Sequence, residues 1–355
     1  MSEKEPKPVF LRACRRLRVD HTPIWLMRQA GRYMPEYRAT RAEHEMLEVI
    51  RTPELAAEIT LQPIERFGFD AAIIFADILP PLIGMGFDLE FVKGVGPRIK
   101  NPIGHPQDVG SLTTPPADVS MPGTLRAIKM VSDELNPRGI PLIGFCGAPF
   151  TLASYAIEGG GSRDYTKVKS FIYHEPDAWT MLMNKLVQVQ ADYLLAQAEA
   201  GASALQIFDS WVGLALGAQD YKRYVQPYNT TLFAKVARGG VPVINFSTGT
   251  GAYIEEVARC GGDVVGIDWR LPLDEAWHRI GHERSIQGNL DPAALLAPWP
   301  ELKLRVDDVL ARAGGNPGHI FNLGHGIFPQ TSVDQVQRLV DYVREMSARR
   351  GARAQ

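Results

Sequence analysis

Residues 180–210 read TMLMNKLVQVQADYLLAQAEAGASALQIFDS. Leu182, Leu186, Val189, Tyr193 and Ala196 share one helical face, so the spacing predicts an amphipathic helix. Gly201 is a natural place for it to stop, because glycine takes up the left-handed conformation that follows a helix end. Two residues later begins SALQIF (203–208), an apolar run of strand length and too short for a typical helix.

The same alternation extends in both directions. Upstream lie TPIWL (22–26), DAAIIFA (70–76) and PLIGFC (141–146); downstream lie VPVINF (241–246), DVVGID (263–268), RSIQGN (284–289) and GHIFNL (318–323). Most are apolar without clean alternation, the pattern of strands covered on both faces in a parallel sheet. Helical patterns separate them, including GTGAYIEEVARCGG, LDEAWHRIG, DPAALLA and TSVDQVQRLVDYVREMSA. Eight candidate strands alternating with helices predict an α/β fold, a single (β/α)8 TIM barrel. A doubly wound open sheet is the runner-up; it calls for a glycine-rich phosphate turn after an early strand, and RQAGRYMP is not GxGxxG. The connection between the second and third runs is too long for one helix. Its part FDLEFVKGVGPRIKNPI reads as a small β-ribbon turning at Gly94–Gly96, an insertion between strands 2 and 3. The expectation is one domain over 1–355, with frayed ends at about 1–9 and 347–355.

Bulk properties exclude several classes. A net charge of −2 lacks the basic surplus of a general nucleic-acid binder. Cys14, Cys146 and Cys260 lie far apart with no CxxC or CxH spacing, which is neither a disulfide framework nor a zinc signature. The start MSEKEPKPVF has no apolar signal region, and no apolar run approaches the ~18 residues of a membrane span. A soluble protein of a reducing compartment is expected.

In such barrels the active site lies at the C-terminal ends of the strands. The residues that follow each run include Arg28, Asp77, Gly147, Asp209, Ser210, Asp268, Trp269, Arg270, Asn289 and His325. None of the runs contains lysine, which argues against a Schiff-base aldolase. Asp77, Asp209, Asp268 and His325 have metal-ligating chemistry, but no HxH, HxxxH or HxC pair supports a metal, and none is expected. The stretch WLMRQAGRYMPEYRATR (25–41) interleaves Arg28, Arg32, Arg38 and Arg41 with Trp25, Met27, Tyr33, Met34 and Tyr37. Taken singly, each arginine is as well read as a surface charge, with Glu36 available to one of them. Asp77 reads equally as a helix cap, Tyr155 as a core phenol and His325 as structural.

Taken together, WLMRQAGRYMPEYR, FADILPPLIGMG, GFCGAPFTLASYAIEGGGS, LQIFDSWVG and NLGHGIFP resemble the uroporphyrinogen decarboxylase family, in the family's order, over residues 10–345. The resemblance implies a cytoplasmic homodimeric lyase of porphyrin and haem biosynthesis, built on one barrel and working without metal or organic cofactor. The implied reaction removes CO2 from the four acetate side chains of uroporphyrinogen III, giving coproporphyrinogen III. Its substrate carries eight carboxylates, which suits arginines set among apolar side chains that cover the pyrrole faces.

The resemblance also implies site roles. Arg28, Arg32 and Arg41 match positions that hold substrate carboxylates, whereas Arg38 is equally a structural partner of Glu36. Asp77 matches the anion beneath the pyrrole NH groups, stabilising a cationic ring. Arg28 matches the proton-delivering position, with a substrate carboxyl or a water held by Arg28 as alternative donors. Tyr155 and Ser210 are implied to hydrogen-bond a carboxylate, Phe208 to touch the substrate, and His325 to be a cationic or donor contact. Gln29, Ala30 and Gly31 are implied to bring backbone amides to a carboxylate. Zinc-dependent methyltransferases of the same fold are the nearest alternative, but their cysteine and histidine ligands are not seen. A non-enzymatic tetrapyrrole carrier would not need Asp77.

Overall fold

The computed structural model describes residues 8–92 and 94–353. Parts of both terminal segments expected to fray, 1–7 and 354–355, lie outside the described residues; Val9–Cys14 is helical and the last helix, Val333–Arg353, runs to the end of them. The strands are β1 (Ala72–Ile73), β2 (Leu89–Val92), β3 (Gly96–Ile99), β4 (Leu142–Gly147), β5 (Ala204–Asp209), β6 (Val243–Ser247), β7 (Val264–Gly266), β8 (Ser285–Gln287) and β9 (His319–Ile320). Seven of them form one sheet in the order β1-β4-β5-β6-β7-β8-β9, and every pair is parallel. The predicted ribbon is present: β2 pairs antiparallel with β3, and Leu89 faces Ile99. It docks on the helix Pro149–Glu158 through Ile99 N–H to Gly159 O at 2.8 Å and Ile103 N–H to Ala156 O at 2.8 Å.

The first of the eight predicted runs, 22–26, forms no strand. Ile24 makes a single parallel bridge with Phe321. Side chains have taken the groups that a ladder would use: Ile24 N–H donates to Asp70 Oδ2 at 2.8 Å and Met27 N–H to Asn322 Oδ1 at 3.0 Å. Pro23 has no N–H to offer. The main-chain bonds that remain join this segment to both sheet edges, from Asp70 N–H to Ile24 O at 3.0 Å and from Phe321 N–H to Pro23 O at 2.8 Å.

The opening stretch folds as read. The helix Pro176–Glu199 buries Leu182, Leu186, Val189 and Tyr193, with Ala196 half-buried. Its Gln197 is fully buried and brackets Phe145 of β4, accepting from its N–H at 2.8 Å and donating to its carbonyl at 2.9 Å. A side chain on Gly144 would come within 2.6 Å of that Gln197 oxygen, so β4 needs a glycine for the helix to lie this close. On the other face of the sheet a smaller apolar cluster joins Trp25, Ile143, Ile244 and Ile320 to Phe10 and Cys14 of the first helix. A polar chain crosses this space, from Trp25 Nε1 to Gln287 at 3.0 Å and from Gln287 Nε2 to Gln206 at 3.1 Å. No helix among the described residues is long and apolar enough to cross a membrane.

Gly201 has φ +121°, and a Cβ there would sit 2.3 Å from Ser132 Oγ. Gly201→Ala is expected to destabilise the fold by about 1–2 kcal/mol from backbone strain alone. Urea unfolding checks this; an unchanged midpoint would show that the turn relaxes freely.

Candidate active site

The loop after the 22–26 segment is held from within. Gln29 is fully buried; its Oε1 accepts from Leu26 N–H at 3.2 Å, and its Nε2 donates to Ala71 O at 3.1 Å. The Gln29 carbonyl accepts from the Tyr33 hydroxyl at 2.7 Å, and its own N–H is spent on Leu26 O at 2.9 Å. Gln29 is therefore the strut of the loop, and its amide is not open to a ligand as expected. The N–H groups of Ala30 and Gly31, by contrast, donate to no acceptor among the described residues.

This strut holds Arg28 at φ +62°, a left-handed conformation that costs a non-glycine residue energy and clusters at functional sites. The Arg28 side chain lies across the loop after β9: a Cβ on Gly326 would come within 2.5 Å of its Cδ and 3.0 Å of its Nε. Gly326 thus leaves the groove in which the arginine rests.

Arg28 acts electrostatically on three other groups. Asp77, half-buried in the loop after β1, has its carboxyl raised by burial against the lowering effects of the Leu79 N–H, 3.0 Å from its Oδ1, and the Arg28 charge. Burial pushes the Tyr155 phenol up; Asp77 adds to this and Arg28 opposes it. Burial, Arg28 and Arg270 together push His325 below its ordinary value. The four residues implied to be catalytic therefore share one electrostatic neighbourhood, although they come from four separate segments. The lowered value favours the neutral imidazole in the unliganded site.

Phe208, half-buried on β5, packs edge-on against Phe145 at 5.5 Å and Phe246 at 5.6 Å between ring centroids. Ser210 follows, half-buried, with its carbonyl held by Thr248 Oγ1 at 2.6 Å and no partner among the described residues for its own hydroxyl. Beside it Trp211 stacks on Tyr155, with ring centroids 3.8 Å apart and planes 27° from parallel. Tyr165, at φ +53°, packs edge-on against Trp211 at 5.4 Å. Neither Trp211 nor Tyr165 was singled out as a site residue from sequence; both lie within the recurring motifs or next to them, which is the signal that could have found them.

The remaining arginines differ in kind. Arg32 is exposed, and its guanidinium has no partner among the described residues. Arg38 does not pair with Glu36: its Nη1 donates to the carbonyls of Arg32 and Tyr33, each at 2.9 Å, while Glu36 is taken by Arg66. It ties down the loop that presents Arg32. Arg41 donates to the His44 carbonyl at the end of its own helix, Pro35–Glu43, and its charge acts on Glu48. The contacts recorded for it are therefore structural. Beyond the expected set stands Arg270, over the face of Trp269 at 4.1 Å and paired with buried Asp268 at 2.5 Å. Trp269 in turn meets His325 edge-on at 6.4 Å. Among the described residues no group of three or more His, Cys, Asp or Glu is placed to hold a metal ion.

Gly326→Ala should fold, because the new methyl meets the flexible part of Arg28 and not backbone. It is expected to displace that side chain and to lower kcat, with thermal melting little changed. Retention of the parental kcat would show that the position of Arg28 over this loop is unimportant.

The chain matches the family model described as uroporphyrinogen decarboxylase (URO-D) over residues 5–346. A protein of Chloroflexus aurantiacus named uroporphyrinogen decarboxylase is 56% identical over 338 residues, 94% of each chain. One of the same name from Carboxydothermus hydrogenoformans is 50% identical over 96% of each. Among solved structures, a methyltransferase from Methanosarcina mazei superposes with a TM-score of 0.77 over 97% of this chain and 99% of its own. At 21% identity that likeness speaks for the fold alone. A match to the family model over nearly the whole length, with relatives at half identity or better, places the chain in the uroporphyrinogen decarboxylase family.

Proposed function

We propose that this protein is a uroporphyrinogen decarboxylase, a carboxy-lyase that converts the four acetate side chains of uroporphyrinogen III to methyls, yielding coproporphyrinogen III and CO2. The observation that carries the site assignment is the electrostatic coupling of exposed Arg28 to half-buried Asp77, Tyr155 and His325. We further infer that the 22–26 segment is the eighth stave of a closed (β/α)8 barrel. Its main-chain bonds to Phe321 on one side and to Asp70 on the other support this, as does the polar chain from Trp25 through Gln287 to Gln206. A single domain, acting as a cytoplasmic homodimer, completes the reading.

The chemistry follows from the charges. Loss of CO2 directly from an acetate on a pyrrole would leave an unstabilised carbanion. A proton delivered at the adjacent ring α-carbon first makes a cationic ring. The bond to the carboxylate then breaks, and its electrons flow into that ring to give an exocyclic methylene. Protonation of the methylene gives the methyl, and the ring proton departs. Asp77 is the preorganised anion that stabilises the cation and accepts pyrrole N–H bonds. Its desolvation strengthens that interaction, since charges attract more in a low-dielectric cleft. Arg28 binds a substrate carboxylate and assists the first proton transfer. Arg32 and Arg41 take further carboxylates, and the unspent N–H groups of Ala30 and Gly31 can donate to another. Tyr155, Ser210 and His325 donate hydrogen bonds, and Phe208 covers a pyrrole face.

Anaerobic incubation with uroporphyrinogen, followed by assay for coproporphyrinogen and CO2, tests the proposal. Binding without turnover would indicate a carrier, and neither binding nor turnover would reject the assignment. Asp77→Asn is expected to lose about 10²–10³-fold in kcat, the usual worth of one preorganised electrostatic group, about 3–4 kcal/mol. Stability should move oppositely. Burial raises the Asp77 carboxyl, so its ionised form costs native stability above that raised value, and the cost vanishes as pH falls through it. Asp77→Asn should therefore melt no lower than the parent at pH 8, with the difference narrowing on acidification; a clearly lower melting temperature would contradict it.

Steady-state kinetics separate the arginines. Arg28→Lys keeps the charge but loses the planar fork, and kcat is expected to fall on the order of 10²-fold. Arg41→Lys should mainly raise KM, as expected of uniform binding. Arg38→Lys should be mildest, with a modest rise in KM as Arg32 loosens. The greatest kcat loss at Arg38 would overturn this division.

A further inference from the structure

Asp209 closes β5 between Phe208 and Ser210, yet the reaction above gives it no task. It is 3% exposed, and its carboxylate accepts from Thr151 Oγ1 at 2.8 Å and Asn229 Nδ2 at 3.3 Å. Thr151 Oγ1 accepts in turn from the Trp211 N–H at 3.3 Å. Thr151 lies one turn before Tyr155 on the helix Pro149–Glu158, and Trp211 is the ring that stacks on Tyr155. Both halves of the aromatic pair thus hang on the same carboxylate, Tyr155 through its helix and Trp211 through the shared hydroxyl.

We propose that Asp209 is a positioning residue whose negative charge, relayed by the Thr151 hydroxyl, sets the Tyr155–Trp211 pair against the substrate. The ionised form matters because the bond from Thr151 is then charge-assisted, roughly twice as strong as a neutral one. The other groups facing Asp209 are the phenols of Tyr221 and Tyr253 and the thiol of Cys260, each pushed up by burial and so neutral near pH 6. Desolvation outweighs the opposing hydrogen bonds from Thr151 and Asn229, and the carboxyl is raised to about 6. Acidification through that point would neutralise the anchor and release the pair.

The inference rests on the reading that Tyr155 touches substrate, and the test keeps the two apart. Asp209→Asn is a neutral isostere: its oxygen can still accept from Thr151, and its amide can pair with Asn229 Oδ1, which is buried without a partner. The variant should fold and be no less stable at pH 8, since it removes a buried charge. Two readouts are taken from pH 5 to pH 8 on the whole protein. One is kcat/KM; the other is Trp211 emission, isolated as the difference from Trp211→Phe. In the parent, both should titrate with a midpoint at about pH 6. Asp209→Asn at pH 8 should show the emission of the parent at pH 5, a kcat/KM lowered about tenfold, as expected for exchanging a charge-assisted for a neutral hydrogen bond, and no midpoint near pH 6. Emission that does not titrate in the parent, or that still titrates in Asp209→Asn, overturns the proposal. Emission that titrates as expected while kcat/KM stays flat supports the positioning and instead removes Tyr155 from the substrate.

Discussion

The site depends on keeping a carboxylate ionised where water is scarce. Burial alone would drive Asp77 toward its neutral form. The fold resists this with neighbours: a backbone N–H from Leu79 on one side and the Arg28 guanidinium on the other. Among the described residues Arg28 and Asp77 form no ion pair, so Arg28 acts on Asp77 through its charge and not by direct contact. The two charges are therefore held within influence of each other by separate scaffolds: Asp77 by the loop after β1, Arg28 by a loop locked on buried Gln29 and lying over Gly326. The strained backbone at Arg28 is the cost of this separation, since a relaxed loop would point the guanidinium elsewhere.

How much of this was legible in the chain depends on how local the deciding contacts are. The runs at 141–146, 203–208 and 241–246 were readable because their strands, β4, β5 and β6, are almost wholly buried and their apolar character is continuous. The 22–26 run has the same composition, but Asp70 and Asn322, distant in sequence, claim its amides and leave one bridge in place of a ladder. Nothing within the run announces that. Arg28, Asp77, Tyr155 and His325 were legible because they sit in long motifs at strand ends. Of the readings open for Arg38, the pairing with Glu36 two residues away does not form, because its nearest useful acceptors are the carbonyls of its own loop. Trp211 and Tyr165 escaped notice because stacking between residues 46 and 56 positions apart from one another's partners leaves no periodic trace.

The aromatic pair also shows how the insertion contributes. The β2–β3 ribbon hydrogen-bonds to Gly159 and Ala156 at the end of the helix that carries Tyr155. The helix is thereby fixed at both ends, by the ribbon at one and by Thr151 on Asp209 at the other. A side chain on a helix so held has few ways to move, which favours precise contacts over adaptable ones.

All three thiols are sealed. Cys14 lies in the first helix, Cys146 in β4 and Cys260 beyond the helix Ile254–Arg259, and burial pushes each thiol up, away from the reactive thiolate. An alkylating reagent can reach them only when the surrounding structure opens. The three sites sample three different parts of the molecule: the first helix, the strand β4 next to one edge of the sheet, and the end of a covering helix. The rates at which they become modifiable would therefore rank the local openings of the fold, with no label added and no residue of the cleft disturbed.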